Sequence, residues 1–147
     1  MCKTVVKEQG FTLLEMLLVL VVLMAIVAMS IPGYQTFAVK KEEQRFFELL
    51  QQDIYFAQSQ SYSLGKTAKV VFRETKGTYE IFTDLQSVVL SRQLPESVAL
   101  KKTSNLNEIY FNSNGSVVQS GTFRFATSSG EKTLVVHLGR GRVVFSE

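Results

Sequence analysis

The chain has 147 residues, of which 46% are apolar and 20% charged, and its formal net charge is +3. Intrinsic disorder is excluded because this apolar content, with 11 Phe, is enough to bury a core, and a polytopic membrane protein is excluded because only one stretch is long enough to span a bilayer. The single Cys2 cannot form an intrachain disulfide, and there is no second cysteine with which to build a zinc site.

A short polar segment, residues 1–10, precedes an apolar stretch over 11–31 in which 18 of 21 residues are apolar. As a helix, such a stretch extends roughly 31 Å, about the thickness of the hydrocarbon core of a bilayer. It is therefore predicted to span the membrane. A conventional secretory signal is the alternative, since a basic leader, an apolar region and the small-x-small triplet Ala28-Met29-Ser30 are all present.

Glu15, near the start of the apolar stretch, argues against a conventional signal. An ionisable group in a spanning segment costs about 2.5 to 3.5 kcal/mol on insertion unless it is paired. Cleavage between Gly10 and Phe11 would place a new α-amine one helical turn before Glu15, and a carboxylate near a helix N-terminus is favoured by the helix dipole. The cut would therefore create the missing counter-charge.

The run Gly10-Phe11-Thr12-Leu13-Leu14-Glu15, followed by apolar residues, resembles the class III signal of type IV pilins and pseudopilins. In that family a membrane-embedded prepilin peptidase cuts after the Gly, the new N-terminal Phe is N-methylated, and the Glu pairs with the N-terminus of a neighbouring subunit during assembly. The resemblance implies a cleaved prepilin leader over 1–10, N-methylation of Phe11 and an assembly role for Glu15. The mature chain would then have 137 residues and begin at Phe11.

A helical pattern resumes after Pro32-Gly33. Tyr34 and Phe37 are three residues apart, and from Phe47 apolar or small residues recur at alternating spacings of three and four, at Phe47, Leu50, Ile54, Ala57, Ser61 and Leu64. Residues 32–64 are therefore predicted to continue the helix into a head domain, with a kink near Pro32 and a buried face against a sheet. The charged run 40–43 is predicted to be solvated.

From Gly65 the apolar period changes to two, which indicates short strands. The predicted strands are 67–74, 78–83, 87–90, 97–100, 108–112, 116–118, 122–127, 133–138 and 142–145. Asn114-Gly115 is the clearest hairpin turn. The order predicts an α+β fold in which a long N-terminal helix, first transmembrane and then amphipathic, packs on a small antiparallel β-sheet head over 65–147. The resemblance implies that this is a type IV pilin-like fold.

The sequence carries no recognisable catalytic set. His137 is the only histidine, and its place in a predicted strand beside Val135 favours a structural role. The run 139–142 lacks the Lys-Ser/Thr of a nucleotide-binding loop, and the carboxylates form no metal-ligand cluster. We therefore expect a protein that is not an enzyme and has no cofactor or metal.

The C-terminal third supplies a second resemblance. The run Phe111-Asn112-Ser113-Asn114-Gly115, the strand pair 122–127 and 133–138, and the final Gly139-Arg140-Gly141-Arg142-Val143 resemble the GspH/FimT-type minor pseudopilins. With its short leader and small head, the chain is most similar to the ComGD-type minor pseudopilin of Gram-positive competence machinery. Residues 75–103 carry no motif that adds to this resemblance.

The resemblance implies a minor pseudopilin of a competence (transformation) pilus, which contributes to assembly and to uptake of extracellular DNA. The protein would cross the cell membrane once and reach the cell surface or pilus after processing. Its expected partners are other major and minor pilins, the prepilin peptidase, the membrane and DNA. The alternative is a minor pseudopilin of a type II secretion pseudopilus, or of another type IV filament, with no DNA-binding role.

Arg140 and Arg142 are the candidate DNA-binding residues. Arg140 lies between Gly139 and Gly141, and Arg142 follows Gly141. Residues 65–147 carry a net charge of +4. Arginine binds phosphate through its planar set of donors, and phosphate contacts need no recognition of the bases. Arg140 completes a Gly-Arg-x-Arg arrangement of the kind associated with DNA-binding competence pilins. In the other interpretation the glycines only shape a turn into the last strand, and the arginines are solvated.

Overall fold

The computed structural model describes residues 11–84, 87–139 and 142–146, with the backbone alone for residues 30–33. The chain divides into two compact units, one up to Ala38 and the other from Val39 onward. Helix α1, Leu13–Leu64, contributes to both and continues through Pro32 and Gly33. The predicted helix is confirmed to within two residues at each end, while the bend near Pro32 stays a prediction.

In the first unit, α1 is apolar on every side. The large apolar side chains from Leu13 to Met29 are 49% to 83% exposed, so this part of the helix has no core of its own. The helix is long and apolar enough to cross a membrane by length and composition, with a mean hydropathy of 2.8 over its most apolar window. A helix that is apolar all round is expected in lipid or against other helices.

In the second unit, the described residues form eight strands. They are β1 Ala68–Arg73, β2 Thr78–Thr83, β3 Ser87–Gln93, β4 Ala99–Leu100, β5 Glu108–Phe111, β6 Gly121–Thr127, β7 Gly130–Val136 and β8 Val143–Ser146. Among these residues there are two four-stranded antiparallel sheets, with strand orders β3-β2-β1-β5 and β4-β6-β7-β8. The sequence predicted a single small sheet. In the structure β1–β3 and β6–β8 each pair in sequence, and two non-consecutive pairings, β1 with β5 and β4 with β6, complete two separate sheets.

The apolar stripe of α1 packs against both sheets. Phe47, Leu50, Ile54, Ala57 and Ser61 are buried, as the spacing predicted, whereas the stripe's outer members Tyr34, Phe37 and Leu64 are exposed. The ring centroid of Phe47 lies 5.6 Å from that of Phe125 in β6 and 5.5 Å from that of Phe145 in β8, while the Phe46 ring lies 6.1 Å from Tyr79 in β2. The predicted α+β arrangement of helix on antiparallel sheet is confirmed.

The structure corrects two strand predictions near the C-terminus. Residues 116–118 form no strand, because Val117 makes only isolated bridges to Phe111 and Gly139 on either side of it. Strand β7 ends at Val136, so His137 lies outside it and is exposed, with its backbone N–H donating to the carbonyl oxygen of Arg142 at 3.0 Å.

Candidate assembly and binding sites

The N-terminus of α1 is capped by Thr12. The backbone N–H of Glu15 donates to Thr12 Oγ1 at 3.3 Å, and the N–H of Met16 donates to the Thr12 carbonyl at 3.2 Å. Glu15 therefore occupies the first turn, where the helix dipole favours a carboxylate. Among the described residues no ion pair reaches this side chain, which is exposed in the single chain together with Phe11. Gly10 lies outside the described residues.

Thr12 is a residue that the sequence analysis left without a role. Thr12-Leu13-Leu14-Glu15 has the S/T-x-x-E spacing of a capping box directly before an apolar run, and this pattern could have identified the helix start. The cap fixes the backbone that carries both Phe11 and Glu15. Phe11 and Glu15, to which the sequence resemblance gives roles in processing and assembly, thus lie within one turn of an ordered helix end.

Glu43 is buried, and the prediction that 40–43 is a solvated face is wrong at this residue. Its Oε1 accepts the backbone N–H of Ser128 at 2.7 Å and its Oε2 accepts the Ser128 hydroxyl at 3.0 Å, at the tip of the β6–β7 hairpin. Burial alone would raise the pKa of Glu43, but hydrogen bonding to the carboxylate, chiefly from the Ser128 backbone N–H, outweighs it, so the pKa lies below its ordinary value.

Asp53 is a second buried carboxylate on the same helix. Its Oδ2 accepts the Tyr79 hydroxyl of β2 at 2.5 Å and Arg92 Nε of β3 at 2.6 Å. Burial and the hydrogen bond to Asp53 raise the pKa of Tyr79 far above its ordinary value, and the same carboxylate raises the pKa of Arg92. The carboxylate is fully engaged in joining the helix to two strands, which makes it structural.

Both carboxylates could have been identified from the helical spacing. Glu43 lies four residues before Phe47 on the buried stripe, and Asp53 lies three residues after Leu50. Extending the stripe to polar residues at the same spacing places each on the face that meets the sheets. What the spacing does not give is their partners, which lie 85 and 26 residues further along the chain.

Of the two candidate DNA-binding arginines, Arg142 is described and Arg140 lies outside the described residues. Arg142 is exposed directly before β8, and within the described part of the chain no acidic side chain forms an ion pair with it. Its guanidinium is therefore available to a ligand. Whether the two arginines act together stays a prediction.

Several other basic side chains of the head, Lys101 and Arg124 among them, are already paired. Lys101 Nζ lies 2.5 Å from Glu131 Oε2, and Arg124 Nη1 lies 3.7 Å from Glu131 Oε1. The hydrogen bond from Lys101 lowers the pKa of Glu131, which keeps that carboxylate charged. The positive charge of the head is therefore partly compensated, and Arg142 differs from Lys101 and Arg124 in being unpaired among the described residues.

Within the described residues no group of three or more His, Cys, Asp or Glu side chains is placed to hold a metal ion. The buried carboxylates are separated along α1 and are each satisfied by hydrogen bonds. These two carboxylates join helix α1 to strand β2 and to the β6–β7 turn.

Two family descriptions match the chain. Residues 47–140 match the family described as Type II transport protein GspH, and residues 6–31 match the prokaryotic N-terminal methylation motif. The first match spans 94 of 147 residues, more than half of the chain. No curated protein sequence matches the chain.

Two solved structures share the fold. Both are crystal forms of the type IV minor pilin FimU from Pseudomonas aeruginosa, with TM-scores of 0.59 and 0.55. They cover 76% and 71% of this chain and 92% of the FimU chain, at 16% sequence identity in each case. At that identity the likeness concerns the fold alone.

Proposed function

The chain belongs to the GspH family of type II transport proteins, and we propose that it is a minor pseudopilin of a competence (transformation) pilus, contributing to pilus assembly and to uptake of extracellular DNA. The supporting observation is the combination of a GspH-type head with a methylation motif at the start of an exposed apolar helix. The ComGD-type assignment rests on the sequence resemblance. The proposed role is structural, without an enzymatic activity or cofactor.

We propose that the prepilin peptidase removes residues 1–10 and that Phe11 is N-methylated. Residues 11–31 then anchor the protein in the membrane by a single pass, 32–64 carry the helix into the head, and 65–147 form the β head. The methylation motif spans the cleavage site, which supports this division. After processing, the protein leaves the membrane for the pilus or the cell surface, where its partners are other major and minor pilins.

Glu15 is the proposed assembly residue. Its carboxylate lies in the first turn of a helix that is apolar enough to cross a membrane. The amine of a neighbouring subunit would supply the counter-charge that offsets the cost of inserting this carboxylate. Glu15→Val should enter the membrane at least as well as the native chain and should fail to assemble. Glu15→Asp, which keeps the charge, is the matched control, and wild-type assembly of Glu15→Val would contradict the pairing.

DNA contact is proposed at Arg142 together with Arg140. The support is an exposed Arg142 guanidinium without an ion pair among the described residues, in a head that carries net positive charge. Phosphate contacts require no base recognition, which suits uptake of any sequence. Two arginines give few contacts, so the affinity expected for one subunit is weak and depends on several subunits acting together.

A type II secretion pseudopilus is the second candidate, and the description of the matched family favours it. Deleting the gene and measuring both natural transformation and protein secretion separates the two machines. We expect transformation to fall to background while secretion is unchanged, with restoration by the native gene. Loss of secretion with normal transformation would overturn the competence role and support the secretion pseudopilus.

A further inference from the structure

An open groove of about 600 Å³ lies in the head between helix α1 and the end of strand β3. The helix side of the groove is lined by Glu42, Arg45, Phe46 and Leu49. The other side is lined by Tyr79 of β2 and by the run 92–96, which begins in β3. This cavity is called the β3 groove below.

The β3 groove reaches the free edge of a sheet. Strand β3 is the first in the order β3-β2-β1-β5, so among the described residues it pairs with β2 alone. The N–H of Leu94 donates to the carbonyl of Gly77 at 2.8 Å, which continues the register in which Thr78 pairs with Gln93. Hydrogen-bonded and non-hydrogen-bonded pairs alternate along an antiparallel ladder, so Ser91 and Gln93 direct their backbone groups away from β2. Gln93 therefore presents an N–H and a carbonyl to a further strand.

The other three sheet edges are shorter or covered. Strand β4 has two residues and β8 has four, while on β5 the carbonyl of Tyr110 already accepts the N–H of Val118 at 3.1 Å. Strand β3 has seven residues, and a register shift in its ladder leaves Val89 without a partner on β2. The regular part of this edge, 90–93, ends at the β3 groove. A further strand can therefore pair along β3 and enter the groove.

The β3 groove has an apolar base and fixed walls. Phe46 and Tyr79 are both buried, and their ring centroids lie 6.1 Å apart. Arg92 Nε lies 2.6 Å from Asp53 Oδ2, which fastens the end of β3 to α1 beside the groove. Because the two walls are held before a partner arrives, binding costs little ordering entropy. The base suits an apolar side chain.

The charges that line the β3 groove are balanced. Glu42 and Glu96 are acidic, Arg45 and Arg92 are basic, and Arg92 is already paired with Asp53. A polyanion such as DNA gains its affinity from neutralising phosphates with basic side chains, so this lining disfavours it. A helix uses its own backbone groups internally and cannot pair with a strand edge. Open backbone groups beside a pocket instead suit an extended polypeptide, whose backbone pairs with the edge while alternate side chains enter the pocket.

We propose that the β3 groove binds an extended segment of a neighbouring pilin subunit, which adds a strand beside β3. The backbone of that segment pairs with Ser91 and Gln93, and one of its apolar side chains packs on Phe46 and Tyr79. The inference rests on the proposed function, because the filament supplies the neighbouring subunit.

The test places a photo-crosslinking amino acid at position 42 or 48 of the full chain in cells that assemble the pilus. Glu42 and Glu48 are both exposed on α1, but only Glu42 lines the β3 groove. Position 42 should give an adduct with an extended segment of another pilin, at a yield at least fivefold above that of position 48.

A second change tests the strand edge itself. Gln93→Pro removes an N–H that faces away from β2, a position where an edge strand tolerates proline. In the chain with the photo-crosslinker at position 42 it should lower the yield of the adduct at least fivefold. Gln93→Ala shortens the same side chain but keeps the N–H, so its yield should stay within twofold of the native one.

The outcomes separate the two proposals. Native chain absent from sheared filaments overturns the proposed function and this inference with it. Native chain present in filaments overturns the inference alone if position 42 gives no adduct, or an adduct with a helix, a lipid or nucleic acid. Equal yields from Gln93→Pro and Gln93→Ala also overturn it.

If Gln93→Pro lowers the membrane abundance of the chain, Leu49→Glu decides instead. This change places a charge in the apolar part of the β3 groove and leaves the strand edge intact. It should lower the yield of the adduct from position 42 at least fivefold, and an unchanged yield overturns the inference.

Discussion

Glu43 of helix α1 accepts two hydrogen bonds from Ser128, one from its backbone N–H at 2.7 Å and one from its hydroxyl at 3.0 Å. The pair joins the helix to the tip of the β6–β7 hairpin across 85 residues of sequence. Further along α1, Gln58 holds the turn at Gly115 with the opposite polarity, because its Nε2 donates to the Gly115 carbonyl at 2.8 Å. Polar helix residues at two levels thus fix two turns of the head against α1.

Glu43→Ala should destabilise the head by about 1 to 3 kcal/mol, because it removes two charge-assisted hydrogen bonds at a buried position. Tyrosine fluorescence during urea unfolding of the purified chain measures this, since the sequence contains no Trp. Glu42→Ala is the matched control, because Glu42 is the exposed neighbour. An equal effect of the two changes would show that the contacts to Ser128 add no stability.

Because the pKa of Glu43 is lowered in the folded chain, part of the free energy of unfolding should be lost at acid pH. The unfolded chain binds the proton more readily than the folded one, so this contribution is present above the unfolded pKa, about pH 4.3, and is lost as the pH falls through the folded value. Glu43→Gln should therefore flatten the fall in unfolding free energy over that range. Parallel curves for Glu43→Gln and the native chain would contradict the prediction.

Gly121→Ala should destabilise the head by about 1 to 3 kcal/mol through overpacking. A Cβ at this position would overlap Cγ of the buried Leu106 and lie 2.7 Å from Asn105 Oδ1, which also accepts the N–H of Thr122 at 2.5 Å. A Cβ at Gly65 would have no atom within 4 Å, so Gly65→Ala should lower the free energy of unfolding by only about 1 kcal/mol, because the backbone there is left-handed. Thermal unfolding of the two variants measures the difference. If Gly65→Ala proved less stable than Gly121→Ala, the overpacking argument would be refuted.

Processing should leave N-methyl-Phe11 as the first residue, because the methylation motif covers this junction and Thr12 caps the helix directly after it. Mass spectrometry of the N-terminal peptide from the membrane fraction identifies it. Gly10→Val should block cleavage and leave the unprocessed form. A native N-terminus at Ile31 would instead indicate an ordinary signal peptide and contradict the pilin assignment.

Replacing both Arg140 and Arg142 by Ala should flatten the salt dependence of DNA binding. Each phosphate contact contributes a slope of about −0.9 in log affinity against log salt, so the double change should reduce the slope by up to roughly 1.8. Lys76→Ala, at an exposed basic residue of the same head, is the control and should not alter binding as much. Unchanged binding at every salt concentration would leave the arginines as solvated residues of a turn.

Periodicity predicted most of the secondary structure because it reflects local burial. The spacing of Phe47, Leu50 and Ile54 located the buried face of α1, and alternation predicted β2 with the bounds that the structure has, Thr78–Thr83. The shortest segments were predicted least well. Residues 116–118 alternate like a strand, but Val117 bridges two different segments and no ladder forms around it.

The sequence by itself determined the helix, the strand-rich head and the N-terminal motif, since each is encoded by residues that are close together in the chain. The tertiary structure decided the division into two sheets and the partners of the buried Glu43 and Asp53. These features depend on which distant segments meet. Helical spacing places Glu43 on the buried face, but its donor Ser128 lies 85 residues further along the chain, and local spacing carries no record of that partner.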